Sequence, residues 1–283
     1  MFFSFKQRQS LGSLKWVALG LSSYLLAGTF FPTPMAQAQV GASPLVIQIQ
    51  AQRGQAQGII TVKNTTNKPS RVRIYTEPFT YNRDSGFETL AESERDLGPY
   101  LRFSPREMTI PPESERRVRL LAQLPPSIAD GEYRTAVFAE SLIESLDSQQ
   151  NVVGIIARVA VTVYIWKGDV QANLKVENAS YNDAEKRIEL LVSNSGEASV
   201  LPGVVWKLTQ AGQTIEEGEL PKTTVIAQGE RNLLISLVSE DSPGNEKPSS
   251  LAPGTYQLSG ELSWGESDNP NTLPFELNLI VPD

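Results

Sequence analysis

The sequence contains no cysteine and no histidine. Without cysteine the chain has no disulfide, no thiol nucleophile and no lipid-modified N-terminal cysteine. Without histidine it lacks a Ser-His-Asp triad, the commonest zinc ligands and the usual general base near neutral pH. Enzymes built on carboxylates alone stay open as a distant third reading, while most other enzyme classes are disfavoured; no enzyme activity, metal or cofactor is expected. The loops rich in acid, 88–96, 239–246 and 265–271, match no defined calcium pattern of six to eight oxygen ligands, and they read as solvated turns.

Positive charge is also in short supply, with 25 Lys and Arg against 32 Asp and Glu. Three of the cations, Lys6, Arg8 and Lys15, lie in the first 38 residues beside the apolar stretch "WVALGLSSYLLAGTFF" and the small residues Ala36-Gln37-Ala38. That arrangement predicts a secretory signal peptide over 1–38, removed on export, with an uncleaved anchor as the alternative. The mature chain then begins near Gln39 with 22 basic and 32 acidic residues, a net charge of −10. Such an acidic chain, without basic clusters in its sequence, argues against nucleic acid or anionic lipid as a partner.

From residue 39 onward the chain is a succession of short Val/Ile/Thr/Tyr-rich segments broken by Gly, Pro, Asn and Asp, with no sustained helical period. The fold class expected is all-β: two tandem immunoglobulin-like β-sandwiches, over 39–167 and 168–283, after the cleaved signal peptide. An internal echo supports the division. "MTIPPESERRVRLLAQL" (108–124) is followed by Gly131-Glu132-Tyr133, and "TVIAQGERNLLISL" (224–237) by Gly254-Thr255-Tyr256. Both Gly-x-Tyr units stand where such a sandwich places a tyrosine corner, whose hydroxyl bonds backbone a few residues upstream. Trp166, Trp206 and Trp264 read as core or inter-domain packing.

One stretch stands out. "NVVGIIARVAVTVYIW" (151–166) carries a single charge, Arg158. It is shorter than the roughly 20 apolar residues of a spanning helix, and its β-branched content suits a strand. Fully extended it would reach about 50 Å, more than one small sandwich covers. Part of it should therefore lie along an edge. An apolar edge without lysine or proline is normally an aggregation hazard, so its presence suggests strand addition with another chain.

The segments "GIITVKNTTNKP", "SPREMTIPPESERRVRL", "ADGEYRTAVFAES" and "NVVGIIARVAVTVYIW" together resemble the periplasmic PapD-like chaperones of the chaperone–usher pathway. The resemblance covers most of 44–167 and, more weakly, the second half. It implies a non-enzymatic periplasmic chaperone for secreted pilin-like or surface-fibre subunits, with an outer-membrane usher as a further partner. The last strand of its first domain would lend alternating apolar residues to an incomplete subunit. The positions matching the lending residues are Val153, Ile155, Ala157 and Val159, with Val161 next along the strand. The family's two basic anchors for the subunit's terminal carboxylate fall on Gln48 and Thr162, neither charged; Arg158 and Arg53 are nearby cations. The competing reading is an exported structural or adhesive envelope protein, secreted or on the cell surface, that buries this strand against its own modules or its own copies.

Overall fold

The computed structural model describes residues 40–146, 152–237, 250–266 and 268–282. The expected signal peptide and the acidic loop 239–246 lie outside the described residues, as do the side chains of 142–146 and 152–155. Among the described residues the one helical element is a single 3-10 turn, Gly98–Tyr100. The chain is all-β.

Among the described residues eleven strands precede residue 168: β1 (Val40–Ser43), β2 (Val46–Gln50), β3 (Gln55–Asn64), β4 (Ser70–Glu77), β5 (Phe79–Asn82), β6 (Gly86–Thr89), β7 (Leu101–Ser104), β8 (Glu107–Ile110), β9 (Glu115–Gln123), β10 (Gly131–Leu146) and β11 (Val152–Lys167). They form two facing sheets, ordered β1-β3-β9-β7 and β2-β11-β10-β4-β8, with β5 and β6 as a separate hairpin. The chain changes sheet at Pro44. β1 runs antiparallel to β3, and β2 crosses to run parallel to β11. Strand alternation explains the core. Val118, Leu120 and Ala122 of β9 turn inward, as do Val161, Val163 and Ile165 of β11, while Arg117 and Arg119 face water.

Seven more described strands follow: β12 (Leu174–Asn182), β13 (Arg187–Asn194), β14 (Gly203–Gln210), β15 (Gln213–Leu220), β16 (Gly229–Ser236), β17 (Gly254–Glu266) and β18 (Asn269–Val281). Their sheets are β12-β13-β16 and β15-β14-β17-β18, closed over a second core that includes Leu190, Val192, Trp206, Leu208, Leu233 and Leu258. Both tyrosine corners are formed. Tyr133 Oη donates to Ala129 O at 3.0 Å, and Tyr256 Oη to Ala252 O at 2.9 Å. Two immunoglobulin-like sandwiches in tandem are the architecture.

A buried asparagine closes the same turn in each sandwich. Asn64 Nδ2 donates to the carbonyls of Lys68, Ile110 and Pro111, and Asn194 Nδ2 to those of Ala198 and Val225. Each Oδ1 accepts the backbone N–H two residues on, at Thr66 and Gly196. Asn64 is wholly buried.

Among the described residues two clusters of hydrogen bonds join the sandwiches. At the first, Glu132 on β10 carries a carboxylate that is 1% exposed. It accepts from Ser199 N and Oγ, each at 2.6 Å, from Trp166 Nε1 at 3.0 Å and from Arg134 Nη1 at 3.1 Å. Four donors, one of them a cation, supply what water would have supplied to a buried charge. Gln48 Nε2 adds a bond to Ser199 O at 2.9 Å. At the second, the tip of the β5–β6 hairpin meets β16. Asn232 donates from its backbone to Arg83 O and from Nδ2 to Asp84 Oδ1, while the Arg231 guanidinium donates to Asn82 O and lies 5.4 Å from the centre of the Tyr81 ring.

Candidate partner-binding strand

β10 and β11 are each sixteen residues long and pair without a break from Gly131↔Lys167 to Leu146↔Val152. Neither neighbouring strand matches that length. β4 covers β10 only over Ala136–Ser141, and β2 covers β11 only over Thr162–Trp166. Among the described residues no ladder covers the other side of β11 from Val152 to Val161. β1 runs near β11 but forms its own ladder with β3. The long strand expected from 151–166 is present, and its first ten residues form a sheet edge.

The pairing also settles which backbone groups the edge presents. Thr162 N–H donates to Leu45 O, on the β2 side, and Trp166 O accepts from Ala51 N on that same side. N–H and C=O of one residue point the same way in a strand, and the direction alternates. With the register unbroken, the groups of Val152, Gly154, Ile156, Arg158 and Ala160 face the open edge, and those of the odd-numbered residues bond to β10.

The proposed lending residues divide along the strand. Val153 and Ile155 lie opposite Ser145 and Ile143 of β10, with side chains outside the described set. Ala157 and Val159 are partly exposed. Val161 is 1% exposed and belongs to the first sandwich's own core with Val163 and Ile165. It is therefore a core residue of the first sandwich, and the partly exposed residues of this row end at Val159.

The expected carboxylate anchors are placed differently from one another. Thr162 is 4% exposed, with its hydroxyl on Leu45 O at 3.4 Å. Gln48 is tied to Ser199. Both are thus committed within the chain, one to the sandwich and one to the inter-sandwich contact. Arg53 sits in the turn between β2 and β3 with φ 53°. Arg158 is exposed, opposite Glu140 on β10, with its guanidinium 4.9 Å from the centre of the Phe138 ring. Phe138 stacks on Tyr75, whose hydroxyl donates to Glu140 Oε2 at 2.7 Å. Hydrogen bonding to Tyr75, helped by nearby carboxylates, holds Arg158 even more firmly in its charged form than usual. The Tyr75 hydroxyl is pushed above its ordinary range by burial and then by its bond to Glu140.

Further along the same face, Tyr164 is fully buried among Phe79, Ala136 and Phe138, with Tyr81 and Phe87 of the hairpin packed around them. Burial raises its hydroxyl well above the ordinary tyrosine range. No group of three or more acidic side chains that could hold a metal is found among the described residues, and no described helix is long and apolar enough to cross a membrane.

No family model matches the chain, and no curated protein matches it. Solved structures do. A chaperone–tip adhesin subunit pre-assembly complex of the archaic Csu pili of Acinetobacter baumannii, CsuC–CsuE, is similar at 12% identity and a TM-score of 0.46, over 86% of this chain and 100% of that one. The class 5 fimbriae chaperone CfaA is similar at 14% identity and a TM-score of 0.45, over 84% and 98%. The Salmonella enterica SafA pilin in complex with the SafB chaperone gives 11% and 0.45, over 86% and 96%. The two-sandwich architecture itself stands on the strand pairing, the separate cores and the paired tyrosine corners of this chain.

Proposed function

We propose that this protein is a non-enzymatic chaperone that captures secreted pilin-like or surface-fibre subunits by adding the open half of β11 to their incomplete sheets. The observation that carries the reading is the edge itself: ten consecutive residues bonded on one side only, five of them offering backbone donors and acceptors outward. In this reading Val153, Ile155, Ala157 and Val159 fill the subunit's exposed core. Burial of three or four such side chains is worth on the order of 5–10 kcal/mol before the cost of ordering, enough for capture that a later partner can reverse. Arg158 is the cation on the open half of β11, and in this reading it is the group that would meet a subunit's terminal carboxylate. Residues 1–38 serve as the removed export signal, 39–167 and 168–283 are the two modules, and the periplasm is the working compartment. An outer-membrane usher would receive the loaded complex.

The test is co-expression of the exported chain with candidate secreted subunits, followed by pull-down from the periplasm. Wild type is compared with the Ile155→Asp, Val159→Asp double variant, and the fold of each is checked by unfolding. Recovery of a subunit by wild type and its loss with the still-folded variant supports strand donation. Equal recovery by both overturns it and returns the chain to the structural-module reading.

A further inference from the structure

The negative charge of this protein is unevenly distributed. Residues 40–167 carry 15 Lys and Arg against 14 Asp and Glu, whereas residues 168–283 carry 7 against 18. Within the first sandwich the cations are gathered again. On the outer face of the β1-β3-β9-β7 sheet, Lys63 of β3, Arg117 and Arg119 of β9 and Arg102 of β7 are all exposed. Glu115, opposite Lys63, is the acid at the outward positions of those strands. None of the four cations has an ion-pair partner among the described residues. By contrast, Arg71 and Lys167 elsewhere in the same sandwich are each paired to an acid. The sequence offered no sign of this cluster, because its members come from three strands separated by up to 56 positions.

The basic face is also grooved and partly apolar. Ile59 is 49% exposed and lies directly opposite Arg119, and Leu121 lies opposite both Gln57 and Arg102. A shallow groove of about 350 Å³ runs between Arg102, Phe103, Arg119 and Leu121. Arg117 and Arg119 are two residues apart on one strand face, a separation of roughly 6.7 Å along the strand. Planar guanidinium forks suit carboxylates in two-point contact. An extended segment with carboxylates on alternate residues has that same repeat, and its apolar neighbour on the same side would rest on Ile59 or Leu121.

We infer that the outer face of the β1-β3-β9-β7 sheet is a second docking surface, which takes an extended acidic segment of a partner protein with carboxylates at alternate positions. It lies on the sheet opposite the one that carries β11, so the two sites can be occupied together and tested apart. A flat basic surface could also meet anionic lipid, but a lipid headgroup layer makes no use of the two-residue register or of the groove.

The test uses the full exported chain and a fluorescent ten-residue peptide with glutamates at alternate positions, one leucine in register with them and threonines between. An isomer with the glutamates contiguous and vesicles of phosphatidylglycerol are measured alongside. The expected result is binding of the alternating peptide that weakens with salt and is weaker for the isomer. Affinity should fall about tenfold or more in Arg117→Glu, Arg119→Glu and by a smaller factor in Arg117→Lys, Arg119→Lys, which keeps the charge and loses the fork. Circular dichroism and unfolding confirm that both variants are folded. Undiminished binding by the charge-reversed chain, equal binding of the two peptides, no binding, or retention on vesicles with the peptide ignored would each overturn the inference.

Discussion

The carboxylate of Glu132 takes both the backbone N–H and the hydroxyl of Ser199, each at 2.6 Å. One residue opens β10 and the other lies between β13 and β14, so this pair ties the second sandwich to the strand that supports β11. Trp166 and Arg134 complete the shell around the same two oxygens. A buried carboxylate so held is expensive to disturb from either side. Glu132→Ala should destabilise the protein by about 3–5 kcal/mol, since Arg134 is left without its partner, and Ser199→Ala by about 1–3 kcal/mol. Urea unfolding of the two single variants and the double variant gives the coupling directly, expected to exceed about 0.5 kcal/mol. Additive losses would mean that the contact is incidental.

The tyrosine corners make a paired prediction. Each hydroxyl donates to a carbonyl four residues upstream, and each ring lies in its own core. Tyr133→Phe and Tyr256→Phe keep the ring and remove the bond, so each should cost about 0.5–1.5 kcal/mol. The two losses should add, because the corners belong to separate cores. A thermal or urea series decides it, and a loss in one sandwich alone would break the equivalence drawn between them.

Much of this was legible in the sequence. The tyrosine corners could be read because Gly-x-Tyr recurs before a strand in both halves, and β11 because an uninterrupted β-branched run has few other outcomes. The repeated asparagine was equally open to view. "VKNTTNKPS" (62–70) and "VSNSGEASV" (192–200) each carry a valine, a polar residue and then the buried Asn at a strand end, but Asn before Thr or Ser reads first as a turn in water. Glu132 gave no such hint. A glutamate at a strand start is ordinarily solvated, and the four donors that hold it come from residues up to 67 positions away. The burial of Thr162 and the hydrogen-bond commitment of Gln48 could not be read either, because they depend on β2 and on the second sandwich. The β5–β6 hairpin docking on β16 is of the same kind.

Tyr164 gives the protein an alkaline weakness. Its hydroxyl is buried near Thr162 and Thr224 without a well-formed hydrogen bond, and burial raises its ionisation well above the ordinary value of about 10. In the unfolded chain it ionises near that ordinary value. The folded protein then holds more protons above pH 10, so stability falls with rising pH from about pH 10 upward, and the contribution is fully present below it. Tyr164→Phe should be close to neutral in stability at pH 7 and should flatten the decline above pH 10. Urea midpoints measured from about pH 7 to about pH 11.5 give both slopes. An unchanged slope in the variant would place the alkaline sensitivity elsewhere.

Adjacent prolines on β11 separate edge pairing from fold. Ile156 is 62% exposed, and by the alternation fixed at Thr162 its N–H faces the open edge. The N–H of Ile155 faces β10 instead. Proline is tolerated in a strand where its missing N–H would have pointed to solvent, and an extended residue before it suits it well. Ile156→Pro should therefore leave stability within about 1 kcal/mol of wild type, whereas Ile155→Pro should cost on the order of 1–2 kcal/mol through a lost ladder bond. Subunit capture should show the sharper effect. A client strand lying along β11 needs the Ile156 donor, so Ile156→Pro should lose the client while remaining folded. Arg158→Gln, which keeps every backbone group, should weaken capture without abolishing it. Pull-down against each variant, with unfolding curves from the same preparations, distinguishes these cases. If Ile156→Pro captures as wild type does, no partner bonds to this edge, and the unpaired half of β11 has some use other than strand donation.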